Sequence, residues 1–253
     1  VPTLLKSQAG PNQSIGIAAN SSGKFLYISD FTNDLVHAFS IDPATGTLQE
    51  VSGSPFSAGP GQVPGDSGFA GIGGIAIDPN TKFLYVPRAN SSDVAGFSIN
   101  STTGALMPII GSPFAAGDFP VQAIVDPSGK FLYVSNHNDS QGTISSYSIE
   151  PISGALTPIP GSPFPTQAGY PGPGALTIAG GGKYLYVAMV GTADVNHFVS
   201  AFSIDSATGV LSQLTGSPFS TGRGPIRVSS DPSGRFLFTA NSADDTISVF
   251  TVD

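Results

Sequence analysis

The chain has 253 residues with 32 Gly and 22 Pro, a share of helix breakers that excludes a fold built on long helices. Its 40% hydrophobic and 10% charged content is too apolar for a disordered chain, and a net charge of −8 makes nucleic acid and anionic membrane surfaces poor partners. With no Cys there is no disulfide or thiolate chemistry, and no apolar run reaches the roughly 18 residues of a membrane-spanning helix.

In chain order, residues 1–8 (VPTLLKSQ) read as a lone strand. Three phrases follow and then repeat: GKFLY at 23–27, ATGTL at 44–48 and GSPF at 53–56. They return as TKFLY, TTGAL and GSPF at 81–85, 102–106 and 111–114, and as GKFLY, ISGAL and GSPF at 129–133, 152–156 and 161–164. A fourth set, GKYLY, ATGVL and GSPF, occupies 182–186, 207–211 and 216–219, and a last GRFLF stands at 234–238. The basic anchors Lys24, Lys82, Lys130, Lys183 and Arg235 are 58, 48, 53 and 52 residues apart. A period near 50 with strand-rich content is the length of a propeller blade.

Within the third unit four β-rich runs are expected, at 121–126, 130–135, 143–149 and 155–159. The turn Asp126-Pro127-Ser128-Gly129 joins the first two, and Glu150-Pro151-Ile152-Ser153-Gly154 joins the last two. The fifth unit supplies three runs, at 226–231, 235–240 and 246–252. A spare strand at 1–8 and a missing fourth strand complement each other. The expectation is therefore an all-β, five-bladed β-propeller of four-stranded antiparallel blades, with the ring closed by the N-terminal strand. The blades run 9–56, 57–114, 115–164, 165–219 and 220–253 plus 1–8. Two alternatives are a piece of a longer propeller and a chain whose residues 1–8 complete a neighbouring molecule's blade.

The phrases GKFLYVSN and TISVF, followed by GAL and GSPF, resemble the YVTN-type β-propellers of the 6-phosphogluconolactonase-like (lactonase) family. The resemblance covers essentially the whole chain. It implies a propeller and hydrolysis of a sugar-acid lactone. Enzymes of that family are expected to carry seven blades and a His-rich segment leading into an inner strand. Here the inner strands begin at Gln13-Ser14, Gly73-Gly74, Val121-Gln122, Gly174-Ala175 and Ile226-Arg227.

Positions eight and six residues before each basic anchor should face the central channel: Gly16/Ala18, Gly74/Ala76, Gln122/Ile124, Ala175/Thr177 and Arg227/Ser229. Gln122 and Arg227 break the small-residue pattern. A side chain that plugs the channel accounts for either; a guanidinium at a channel mouth also suits a carboxylate or phosphate. The position ending each second strand holds Asp30, Arg88, Asn136, Met189 or Asn241, and Arg223 precedes the fifth inner strand. Asp30, Arg88, Asn136, Asn241, Gln122, Arg223 and Arg227 are the candidate ligand contacts.

His37 aligns with Ser145 and Ser248 inside a third strand, a structural position. His137 and His197 sit in matching loops of the third and fourth blades. They read as solvated loop residues, or with Asp139 and Asp194 as a two-His, two-carboxylate metal site. The acidic loop face could hold Ca²⁺, though no DxDxDG run exists; otherwise no cofactor is expected. If the resemblance extends to catalysis, His137 or His197 would act as base and Arg88, Arg223 or Arg227 as cation.

The residues by themselves favour a binding or assembly module, secreted or at the cell surface. Its partner would be a small molecule or protein at the channel mouth, with self-assembly as an option and no nucleic acid or membrane span. Low charge and Gly/Ser/Thr/Asn richness support that setting. The alternatives are a lactonase-like hydrolase and a subunit that polymerises by N-terminal strand exchange.

Overall fold

The computed structural model describes residues 14–30, 33–59, 74–137, 141–166, 172–189 and 197–252. They form five antiparallel sheets in chain order, the blades of a β-propeller. In the third blade, Pro120–Val125 is the inner strand, followed outward by Phe131–Asn136 and Thr143–Ile149. The outer position is split between two short strands. Leu156–Pro158 pairs one end of the third strand and Phe164–Pro165 the other. Blades one, two and four repeat this plan, while the fifth has three described strands, Pro225–Ser230, Phe236–Asn241 and Thr246–Thr251. The only helical turn among the described residues is Ala89–Ser91.

Each repeated phrase has a mechanical role. Asp126 opens the tight turn before the second strand, and its Oδ1 accepts from the backbone N–H groups of Lys130 and Phe131, both at 2.8 Å. Asn20, Asp78 and Asp231 do the same in blades one, two and five. Blade four has Ala179 there and turns through Gly180, Gly181 and Gly182, all at positive φ. The serine of GSPF explains the split outer strand. Ser162 Oγ accepts from Ser146 N–H at 2.8 Å, satisfying the third-strand donor between the two short strands. Ser54, Ser112 and Ser217 accept from Ala38, Gly96 and Ala201 in the same way.

The other two phrases meet across blade boundaries. The tyrosine of the KFLY phrase donates its hydroxyl to the glycine carbonyl of the next blade's Gly-x-Leu turn. The pairs are Tyr27 to Gly104 at 3.0 Å, Tyr85 to Gly154 at 2.8 Å and Tyr133 to Gly209 at 3.0 Å. That glycine lies against the phenylalanine of the same phrase: a Cβ on Gly154 (φ 75°) would stand 2.4 Å from Phe83 Cδ1. The core is therefore distributed as four apolar clusters, one at each boundary between successive blades.

The described residues do not show the expected closure of the ring. Ile17 is 67% exposed, whereas its equivalents Ile75, Ala123, Leu176 and Val228 are 3–8% exposed against the preceding blade. At the other end Phe238 is 37% exposed, whereas Tyr27, Tyr85 and Tyr133 are at 0% beneath the following blade. Blades one and five thus each present an uncovered face, and the five sheets form an open arc. Residues 1–8, expected to complete blade five, lie outside the described residues.

Candidate functional site

Propeller chemistry is sought where the inner strands begin and the loops after the second strands converge. The inner strands touch directly. Gly74 N donates to Val121 O and Gly74 O accepts from Ala123 N, both at 3.0 Å, and a Cβ on Gly16 would stand 2.9 Å from Ile75 N. Small residues there permit this approach. Gln122 is engaged in it: its Oε1 accepts from Leu176 N of blade four at 3.1 Å. It works as a strap between blades three and four.

The candidates at the ends of the second strands are buried beneath the loop face. Asn136 donates through Nδ2 to Thr143 Oγ1 and Ser145 Oγ, and Asn241 donates to Thr246 Oγ1 and Ser248 Oγ. Arg88 replaces Asn at this rung, and its fork pairs Asp93 with both contacts at 2.6 Å. A glycine from the outer edge covers each of the three: a Cβ on Gly59, Gly117 or Gly222 would stand 2.6 Å from Arg88 Nη1, Asn136 Nδ2 or Asn241 Nδ2. Asp30 is 4% exposed and accepts from Asn33 N at 3.2 Å and Asn33 Nδ2 at 2.9 Å. These side chains hold the tops of blades one, two, three and five together; blade four has Met189 at this position.

One lip of the channel, between blades four and five, gathers several candidates. His197 precedes the strand Phe198–Ile204, and its Nδ1 accepts from Gly224 N at 3.1 Å. Because Nδ1 is the acceptor, neutral His197 carries its proton on Nε2, which is buried without a hydrogen-bond partner. Arg223 precedes that glycine. Its backbone N–H donates to Asp244 Oδ2 at 2.6 Å, and its Nε lies 4.0 Å from Asp244 Oδ1. Ser242 clamps the same segment, donating to Gly224 O from its N at 2.8 Å and its Oγ at 3.1 Å. Arg227 follows on the exposed side of Pro225–Ser230.

His137 stands apart, in blade three. Its N donates to Phe119 O at 2.8 Å and its ring lies 6.4 Å from that of Phe119. The two histidines are thus anchored to different inner-strand starts, His137 to its own blade's and His197 to the next blade's. Asp139 and Asp194 lie outside the described residues, among which no group of three or more His, Cys, Asp or Glu could hold a metal ion. Sequence reasoning missed Ser242 and the Gly224 amide as parts of the lip. Nothing in their spacing signals the role, because the register between the fifth inner and second strands creates it.

Residues 1–106, 53–169 and 162–253 each match the family described as Lactonase, 7-bladed beta-propeller. The chain belongs to this lactonase family. A curated relative, a 6-phosphogluconolactonase of Formosa agariphila, is 25% identical over 240 residues, 94% of this chain and 66% of the relative. The chain thus spans slightly under two thirds of that relative's length. Among solved structures, a Lactobacillus plantarum protein matches with TM-score 0.71 at 20% identity, over 95% of this chain and 67% of its own. The periplasmic gluconolactonase of Pseudomonas aeruginosa matches with TM-score 0.62 at 18% identity, over 98% of this chain and 84% of its own. Both likenesses show the fold. The family is described by seven blades, and the described residues of this chain form five sheets.

Two expectations are corrected by these likenesses. The non-catalytic binding or assembly module gives way to the lactonase alternative, since family and curated relative are both named for lactone chemistry. The secreted or cell-surface setting falls with it, because it was argued for a binding module and the curated relative is named a 6-phosphogluconolactonase. Low charge and Ser/Thr/Asn richness came from turn and rung chemistry repeated blade by blade.

Proposed function

We propose that this chain works as a lactonase-type propeller unit that hydrolyses a sugar-acid lactone at the lip between blades four and five. The observation that carries the reading is the likeness to a 6-phosphogluconolactonase across 94% of the chain. Hydrolysis adds water to the lactone carbonyl carbon. The tetrahedral oxyanion then collapses and breaks the ring C–O bond, and the departing alkoxide takes up a proton to give the hydroxy acid. His197 suits the middle of this sequence. With Nδ1 bound to Gly224 N–H, Nε2–H is left without a partner beneath the lip; a substrate that enters the lip and uncovers it offers the developing oxyanion as acceptor, so the imidazole acts as an electrophile rather than a base. Arg223 and Arg227 supply positive charge for the phosphate or carboxylate of the substrate, with Asp244 orienting Arg223.

The test measures turnover of 6-phosphogluconolactone and of unphosphorylated gluconolactone, each corrected for spontaneous hydrolysis. His197→Gln should lower kcat by about 10²-fold, the cost of one oxyanion donor. Arg223→Ala should raise KM for the phosphorylated lactone and leave the neutral one unchanged. No turnover above the spontaneous rate, or turnover indifferent to both changes, sinks the reading.

A further inference from the structure

The lip between blades four and five departs from the chain's own repeat, and blade three supplies the comparison. Pro120 faces Asn136 and Pro225 faces Asn241 in matching registers, each followed by a bulge. The residue before each proline lies in the left-handed region, Phe119 at φ 53° and Gly224 at φ 66°. In both blades its carbonyl accepts from the N–H that follows the asparagine: His137 N donates to Phe119 O and Ser242 N to Gly224 O, both at 2.8 Å. In blade five the grip continues along the chain. Ser242 Oγ donates to Gly224 O at 3.1 Å, Ala243 N donates to Arg223 O at 3.1 Å, and Asp244 Oδ2 accepts from Arg223 N at 2.6 Å. The place of His197 can be compared too, since it precedes the third strand of blade four as Gly142 precedes that of blade three. A Cβ on Gly142 would stand 2.0 Å from Pro173 Cδ of the next blade, so a side chain has no room there. One boundary on, an imidazole occupies this place and meets the Gly224 N–H with Nδ1 at 3.1 Å.

We propose that Ser242 and Gly224 are positioning residues that fix the tautomer and ring orientation of His197, an inference that rests on the lactonase reading of this lip. The Arg223–Gly224 peptide is bonded at both ends, its C=O to Ala243 N–H and its N–H to the imidazole. Hydrogen bonds in series polarise one another, so this N–H donates more strongly to Nδ1 and Nε2–H becomes a better donor. Ser242 holds the peptide on the other side of the Gly224 Cα, with two donors on one carbonyl, and keeps the N–H aimed at the ring. Glycine is required at this turn. An L side chain is strained at φ 66°, and a Cβ would stand 3.0 Å from Ser242 Oγ and 3.1 Å from Ala243 N. Ser242 thus acts on the reaction through Gly224, and the register of blade five carries its effect to a side chain of blade four.

The test reads the imidazole directly, by long-range proton–nitrogen NMR correlation on the isotopically labelled full chain. The chain has 3 His, and His197→Gln assigns the signals. The wild-type pattern expected is Nε2–H with Nδ1 unprotonated. Ser242→Ala should mix the tautomers and lower kcat for gluconolactone about fivefold, the effect of one hydrogen bond, with KM unchanged. Ser242→Thr, which keeps the hydroxyl, should restore both. Gly224→Ala should lower kcat about tenfold, the cost of an L residue in the left-handed region. A merely structural role would lower Tm and leave the tautomer as it is. A wild-type Nδ1–H tautomer overturns the proposal, and so does a Ser242→Ala chain with unchanged kcat or an unchanged imidazole spectrum. If the wild-type chain turns over no lactone, the lactonase reading fails by itself, and the imidazole spectra of wild type and Gly224→Ala still decide whether the clamp sets the tautomer.

Discussion

Three of the repeated tyrosines, Tyr27, Tyr85 and Tyr133, each close a boundary between blades, and burial leaves a signature on them. Burial pushes the Tyr27 phenol up to about 12, and Tyr85 and Tyr133 are raised as well, with the charges of Asp78 and Asp126 adding to the effect of burial. The unfolded phenol titrates near 10. Folding therefore favours the neutral form, and this contribution to stability is fully present below about pH 10. It is lost as pH rises from there through the folded value. Tyrosinate absorbance at 295 nm should consequently lag in the native protein by about two pH units for Tyr27 relative to the guanidinium-unfolded chain. Coincident titration curves would show that these hydroxyls are not held in the boundary.

At the scale of one element, the outer strand of each blade is interrupted, and GSPF is the device that allows the interruption. Without Ser112 Oγ, the N–H of Gly96 would lie between two short strands with no acceptor. Ser112→Ala should cost about 1–2 kcal/mol, the penalty for one unsatisfied backbone donor, read as a lowered urea midpoint with unchanged slope. A change within about 0.3 kcal/mol would mean that water takes over the hydroxyl's role. The phrase stands out in the sequence because four copies meet the same backbone requirement. The split itself was not visible there. A continuous fourth strand and an interrupted one read alike until the third strand supplies the register.

For the whole molecule, the energetic consequence of the open arc is a contrast between equivalent residues. Ile144 is fully buried at the boundary between blades three and four, whereas Ile247, at the same position of the third strand in blade five, is 70% exposed on the uncovered face. Ile144→Ala should cost about 2–5 kcal/mol through lost burial and a residual cavity, while Ile247→Ala should change stability by less than about 1 kcal/mol. Comparable losses at the two positions would mean that the blade-five face is covered in solution. The proposed activity belongs to this scale too, since His197 comes from blade four and Gly224 from blade five.

Repetition is the property that a single sequence transmits best. Five copies of one phrase and four of two others define blades, turns and a propeller, because local turn chemistry and strand alternation recur whatever the distant contacts are. The same logic marked Gln122, Arg88, Asn136 and Asn241 as unusual for binding, since they sit where the pattern changes. Tertiary structure decided what those changes do. Gln122 straps two blades, Arg88 pairs Asp93, and the two asparagines hold rungs, so polar character at these positions serves burial. It also decided how many boundaries are packed and which histidine joins an arginine at one lip. Both depend on the angle between successive blades and on register between strands far apart in sequence, and neither quantity is written in the spacing of any one repeat.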